Sequence, residues 1–187
     1  MKIMGNKKSG ITIIEVMISA SLGVMILAIV YVSFVTGQKV HRKGALNAEL
    51  SQNGRIALDR ISREMRQAEQ IITTLQPIEP DPPQTDIKFK DGHISTVQYI
   101  RYYLSGQDIK REQGHYFFST DPDSWVYHDA VDGGGQPATY TVDSDQIIAQ
   151  NISTLNFYGE KNIYIELTVK KDNQKIELRT ENFGRNL

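Results

Sequence analysis

The chain has 187 residues, 40% hydrophobic and 23% charged, with no cysteine and a formal net charge of −1. That size suits one ordinary domain plus some additional chain, and the composition excludes wholesale disorder. The absence of cysteine excludes disulfides, thiolate nucleophiles, and Cys-ligated zinc or iron–sulfur clusters, and near neutrality excludes a strongly basic nucleic-acid binder.

A mean hydropathy of −0.38 hides a polarised chain. Residues 1–10 carry Lys2, Lys7 and Lys8 and no acid, and from Val16 to Gly37 there is no charged residue at all. As a helix that uncharged run spans about 33 Å, against about 30 Å of bilayer hydrocarbon. It is a predicted transmembrane helix, and the lysines predict a cytoplasmic N-terminus. A secretory signal cut near Val35-Thr36-Gly37 is the alternative, but its apolar region is usually only about 7–15 residues long. A buried core helix rarely runs so far without a charge.

The next stretch, Gln38–Gln67, is basic: Lys39, Arg42, Lys43, Arg55, Arg60, Arg63 and Arg66 stand against Glu49, Asp59 and Glu64. From Ala68 onward the balance reverses, with eleven basic and eighteen acidic residues, so direct DNA binding by this part is not expected. No proline precedes Pro77, and helix-compatible sequence runs from Ile11 to about Ile72. Leu46, Leu50, Ala57, Ile61, Met65, Ala68 and Ile72 recur at helical spacing, which makes one apolar stripe needing one partner surface. Gly37, Gly44 and Asn53-Gly54 are the weak points where such a helix would bend. Pro77, Pro80, Pro82 and Pro83 end it in an extended loop.

After residue 85 the chain reads as strands. Ser95–Leu104 is rich in β-branched and aromatic residues, Ser105-Gly106-Gln107 is a turn, and Asp108–Glu112 is a short return strand. Gly114–Phe118 is another short strand, and Asp129–Pro137 a loop. Asn151–Tyr158, Asn162–Lys170 and Gln174–Thr180 read as an antiparallel meander with turns near Gly159–Lys161 and Asp172-Asn173. A sheet with one apolar face needs a cover, which the striped half of the helix supplies. The expected fold is α+β: a long N-terminal helix whose apolar half protrudes and whose amphipathic half packs on an antiparallel β-sheet head.

Glu15 interrupts the apolar run. A carboxylate at that depth costs a few kcal/mol unless paired or drawn to the interface. If the chain were cut after Gly10, the new amine of Ile11 would lie one helical turn from Glu15. Pairing with that amine, or with a neighbour's, would neutralise both charges and fix the axial register of packed helices.

A short basic leader ending in Ser9-Gly10, then Ile11-Thr12-Ile13-Ile14-Glu15-Val16-Met17 and a long apolar helix, resembles a type IV prepilin signal. The resemblance covers residues 5–37. Gln52-Asn53-Gly54-Arg55-Ile56-Ala57-Leu58, followed by Arg63-Glu64-Met65-Arg66-Gln67-Ala68, is similar to the helix of W-type minor pilins and J-type minor pseudopilins. The resemblance implies cleavage after Gly10 by a prepilin peptidase, N-methylation of Ile11 by the same enzyme family, and a role for Glu15 in recruitment to a filament. Implied partners are that peptidase/methyltransferase, other pilin or pseudopilin subunits, an inner-membrane assembly platform, and the lipid bilayer before assembly. The implied regions are a leader (1–10), a transmembrane and filament-core helix (11–37), its amphipathic continuation (38–76), and a β-rich extracytoplasmic head (77–187). Ile11 replaces the family's usual Phe. The lack of both cysteine and a helix-breaking proline in the apolar half favours a minor subunit, a pseudopilin or a different lineage, serving a pilus, a type II secretion system or a DNA-uptake machine.

The head carries no Gly-x-Ser-x-Gly, His-Glu-x-x-His, Walker or Gly-x-Gly-x-x-Gly motif, so no catalytic residue and no cofactor is expected. His41, His93, His115 and His128 are scattered, and His128-Asp129 lacks a third ligand at a usual spacing. Asp121, Asp123, Asp129 and Asp132 are calcium candidates only in that some pseudopilins bind calcium in the head; their spacing is not an EF-hand. Tyr99, Tyr102, Tyr103, Tyr116, Phe117, Phe118, Trp125 and Tyr127 suit strand packing. They also leave open a membrane-anchored glycan or surface-binding module as the rival function.

Overall fold

The computed structural model describes residues 10–77, 84–93, 96–159 and 162–183. The chain divides into two compact units, Met1–Ala45 and Leu46–Leu187. A single helix, α1 (Ile13–Gln67), contributes to each.

Within the first unit, every apolar side chain from Ile11 to Val32 is exposed, with Ile13, Leu27 and Tyr31 at 82%, 69% and 69%. Gly37 and Gly44 stay helical. Each costs only about 1 kcal/mol relative to alanine, too little to break a helix of otherwise strong formers.

The second unit is an α+β head. The larger sheet contains β1 (Gln70–Ile71), β2 (Asp86–Lys90), β3 (Tyr99–Ser105), β4 (Asp108–Phe118), β5 (Asp121–Val126) and β6 (Thr139–Ala149). They order as β1-β2-β3-β4-β5, with β6 along the other edge of β4. A second sheet is the meander β7 (Ile152–Tyr158), β8 (Asn162–Lys171) and β9 (Gln174–Phe183). All pairings are antiparallel. Gln84 bridges to Phe157, and Ile152 N–H donates to the Gln107 carbonyl at 2.9 Å, linking the two sheets.

The core lies between the sheets and residues 50–65 of α1. Leu50, Ala57, Leu58, Ile61 and Met65 from the helix cluster with Phe89, Ile100, Tyr102, Leu155, Phe157, Ile165 and Val169 from the strands. Burying each large side chain contributes about 1.5–3 kcal/mol, so this stripe anchors the helix to the head. The stripe falls where its spacing placed it: Leu50, Ala57, Ile61, Met65 and Ala68 are buried, and Leu46 is partly buried.

Four local expectations are corrected. First, α1 ends at Gln67 rather than Ile72. Residues beyond it gain cross-strand bonds instead: Glu69 N–H donates to the Lys90 carbonyl at 3.0 Å and Ile72 N–H to that of Lys88 at 2.8 Å. Second, Asn53-Gly54 is no bend. Gly54 is buried, and a Cβ there would run into Leu178 and Val169, so the glycine admits β8 and β9 close to the helix. Third, β4 is one strand across Gly114, where two were expected. Gly114 pairs with both Tyr99 and Val142, and the Tyr140 ring occupies the space a side chain would need. Fourth, β5 stands where an acidic turn was expected at Asp121–Asp123, and β6 lies in a stretch given no element; the expected loop Asp129–Pro137 does lie between these two strands. Pro80, Pro82 and Pro83 lie outside the described residues, as do residues 1–9.

Turn chemistry follows the residues. The β3–β4 hairpin turns through Gly106 (φ 65°) and Gln107, between the paired Ser105 and Asp108. The β8–β9 hairpin turns at Asp172 (φ 52°) and Asn173. Asp tolerates this left-handed region better than most residues because its short side chain bonds locally.

Candidate functional site

At the start of α1, Gly10, Ile11 and Thr12 precede the first helical residue, Ile13, and all are exposed. Nothing lies within 4 Å of the position of a Cβ on Gly10.

Thr12 and Glu15 cap the helix reciprocally. Thr12 N–H donates to Glu15 Oε2 at 3.3 Å, Glu15 N–H donates to Thr12 Oγ1 at 3.4 Å, and the Thr12 hydroxyl also reaches Oε2 at 3.4 Å. The spacing Thr-x-x-Glu is the capping box, which satisfies two otherwise orphaned N–H groups. Glu15 carries its negative charge at the positive end of the helix dipole, where it is favoured. This arrangement was legible in Thr12 and Glu15 by their spacing, but the depth of the carboxylate in the apolar run drew attention to its charge alone. Behind the cap runs the one helix among the described residues long and apolar enough to cross a membrane.

In the head, the sequence-named polar residues are dispersed. Asp121 and Asp123 are exposed at the start of β5. Asp132 Oδ1 accepts N–H bonds from Gly134 (2.9 Å) and Gln136 (2.8 Å), which organises the glycine-rich loop. Asp129 lies 3.9 Å from His128 Nδ1. Among the described residues, no group of three or more His, Cys, Asp or Glu side chains converges on a metal position. His115 stacks on Trp125 (4.2 Å, 11°) and its Nδ1 lies 2.9 Å from Asp143. The exposed His93 and His41 join neither of these clusters.

The aromatics divide by strand face. Tyr102 and Phe89 enter the core. On the opposite face of the larger sheet, Lys88, Arg101 and Glu112 stand directly across from one another on β2, β3 and β4. Lys88 Nζ lies 3.2 Å from the Tyr140 ring centroid and donates to the Tyr116 hydroxyl at 2.9 Å, while Arg101 pairs with Asp86 at 3.0 Å. Burial pulls the Lys88 ammonium down to about 8, with Glu112 opposing and Arg101 assisting. Burial also opposes the Lys90 charge, but hydrogen bonds to Glu69 and Tyr127 outweigh it and hold its pKa above the ordinary value. Tyr140 and Lys88 were not singled out from sequence, because β6 was not foreseen and a lone lysine in β2 carries no motif. Within this cluster the buried Glu112 Oε1 and Tyr140 hydroxyl have no hydrogen-bond partner among the described residues. Lys88 lies over the Tyr116 and Tyr140 rings as a cation–π layer beside the Arg101–Asp86 ion pair.

No family model, no curated protein and no solved structure matches the chain.

Proposed function

We propose that the chain is a structural subunit, of the minor type, in a type IV pilus or a related secretion or DNA-uptake pseudopilus. A prepilin peptidase cuts after Gly10, the new amine of Ile11 is methylated, and the apolar part of α1 passes from the bilayer into a bundle of like helices. The head remains extracytoplasmic, and the protein works by assembly rather than by turnover.

The observation that carries this reading is the junction at Gly10–Ile11. It is non-helical and exposed, and it directly abuts a capped helix whose apolar side chains from Ile13 to Val32 are exposed among the described residues. Such a surface is stable only in lipid or against other helices. Glu15 then acts twice, as cap for its own helix and as counter-charge for the amine freed one turn away. The pair disfavours axial slip, because slip leaves a charge unmatched in a low-dielectric bundle.

The test is assembly. The wild-type chain, expressed with its processing and assembly machinery, is expected in sheared surface or periplasmic filaments, and Glu15→Ala is expected to stay in the membrane fraction. Incorporation of Glu15→Ala at the wild-type level contradicts the role given to Glu15.

A further inference from the structure

Immediately beyond the apolar run, α1 carries Lys39, Arg42 and Lys43. Their i, i+3 and i+4 spacing puts all three on one face of the helix. All are exposed, and none has a hydrogen bond or ion pair among the described residues. No acid lies between Glu15 and Glu49, so none of the three has a carboxylate one turn away on its own helix. Glu49 is itself engaged, by Lys171 at 3.1 Å. Taking Gly37 as the end of the apolar segment, at 1.5 Å per residue Lys43 lies about 9 Å further along the axis. All three charges thus fall within about one Debye length of the end of the apolar segment, where lipid phosphates lie.

We propose that Lys39, Arg42 and Lys43 form a cationic collar that binds the phosphates of anionic phospholipids in the leaflet where the apolar span ends. This rests on the membrane-span part of the functional reading and not on filament assembly. The long stems of the three side chains lie along the helix toward the hydrocarbon while their charged ends reach the headgroups. Leader cleavage removes Lys2, Lys7 and Lys8 from the other end of the span. The collar is then the one basic cluster adjoining the span, and it holds the helix at a fixed depth in the bilayer.

The test uses the full chain, delipidated in zwitterionic-detergent micelles. It is titrated with palmitoyl-oleoyl phosphatidylglycerol or phosphatidylcholine and read by native mass spectrometry. Wild type is expected to prefer phosphatidylglycerol by about tenfold, a preference that molar salt suppresses. The triple variant Lys39→Gln, Arg42→Gln, Lys43→Gln is expected to lose most of that preference. Glutamine is a good helix former, so these exposed positions stay helical. The triple variant Lys2→Gln, Lys7→Gln, Lys8→Gln is expected to retain it. Equal binding of the two lipids by wild type overturns the proposal, as does a preference unchanged in the collar variant. Full competition by inorganic phosphate also overturns it, because that would mark a free-anion site. Carbonate extraction of the chain from vesicles reports separately on the span: release overturns both readings, whereas retention with no lipid preference overturns the collar alone.

Discussion

Thr12 and Glu15 exchange hydrogen bonds across the first turn of α1, Thr12 N–H to Glu15 Oε2 at 3.3 Å and Glu15 N–H to Thr12 Oγ1 at 3.4 Å. The carboxylate that an apolar helix has most reason to exclude is therefore held in place by its own first turn. Cleavage at Gly10 would leave both partners in the mature chain. The two roles of Glu15 separate by mutation. Thr12→Val removes half of the box and is expected to cost about 1 kcal/mol of helix-end stability, with filament incorporation retained. Glu15→Gln keeps a hydrogen-bonding side chain but no charge, and is expected to lose incorporation. Quantifying filament-bound subunit for both variants checks the separation.

Glu64 and Arg111 tie the helix to the larger sheet. Arg111 Nε donates to the two Glu64 oxygens at 2.8 and 3.2 Å, and both side chains are largely buried, at 11% and 17% exposure for Arg111 and Glu64. Removing Arg111 leaves the Glu64 carboxylate desolvated with only its longer contact to Arg60, at 3.4 Å. Arg111→Ala is expected to destabilise the head by about 3 kcal/mol, read as a lower urea midpoint. A loss below about 0.5 kcal/mol would place the pair among ordinary surface bridges.

Two glycines of the same helix are expected to respond in opposite directions. Around Gly44 a Cβ meets nothing within 4 Å, so Gly44→Ala should stabilise by about 0.5–1 kcal/mol. Gly54 is packed against Leu178 and Val169, so Gly54→Leu should destabilise by about 2 kcal/mol through overpacking. Thermal melts of the two variants in the same detergent check the pair of signs.

The charged layer on the outer sheet face sets a pH dependence. Lys88 titrates near 8 in the folded chain against 10.5 ordinarily. Between those values the unfolded chain holds more protons, so stability rises with pH. The full shift is discounted because the side chain is half-exposed, leaving a rise of about 1–2 kcal/mol. Burial raises the phenols of Tyr99, Tyr102, Tyr116 and Tyr140, so the folded chain retains protons that the unfolded chain loses and stability falls again above pH 10. Urea midpoints measured across that range should rise and then turn over, and Lys88→Met should flatten the rise.

The helix and the meander were legible because one physical signal dominated each. An uncharged run long enough for a bilayer and a stripe at helical spacing located α1, and alternating apolar residues between clear turns located β7, β8 and β9. Strand β6 was not legible. Its register shifts twice against β4, leaving Asp143 and Ile148 as extra residues, so the alternation is broken, and Asp143, Ser144 and Asp145 are poor strand formers. The bulge places Asp143 against His115, and an edge strand carrying such irregularities resists pairing with other chains. Strand β5 was obscured by Asp121-Pro122-Asp123, which reads as a turn, although proline is tolerated at a strand start. Lys88 and Tyr140 belong to a cluster made only by sheet register, which no local pattern encodes. The expectation of cleavage at the Gly10–Ile11 junction rests on adjacent residues; the structure shows Gly10, Ile11 and Thr12 exposed just before the helix.

The central claim is maturation at that junction. The most direct measurement is the intact mass and N-terminal sequence of the chain co-expressed with an active prepilin peptidase. The account predicts a mature chain beginning at methylated Ile11. An uncleaved chain beside a processed control substrate, or a chain cut near Gly37, would contradict it.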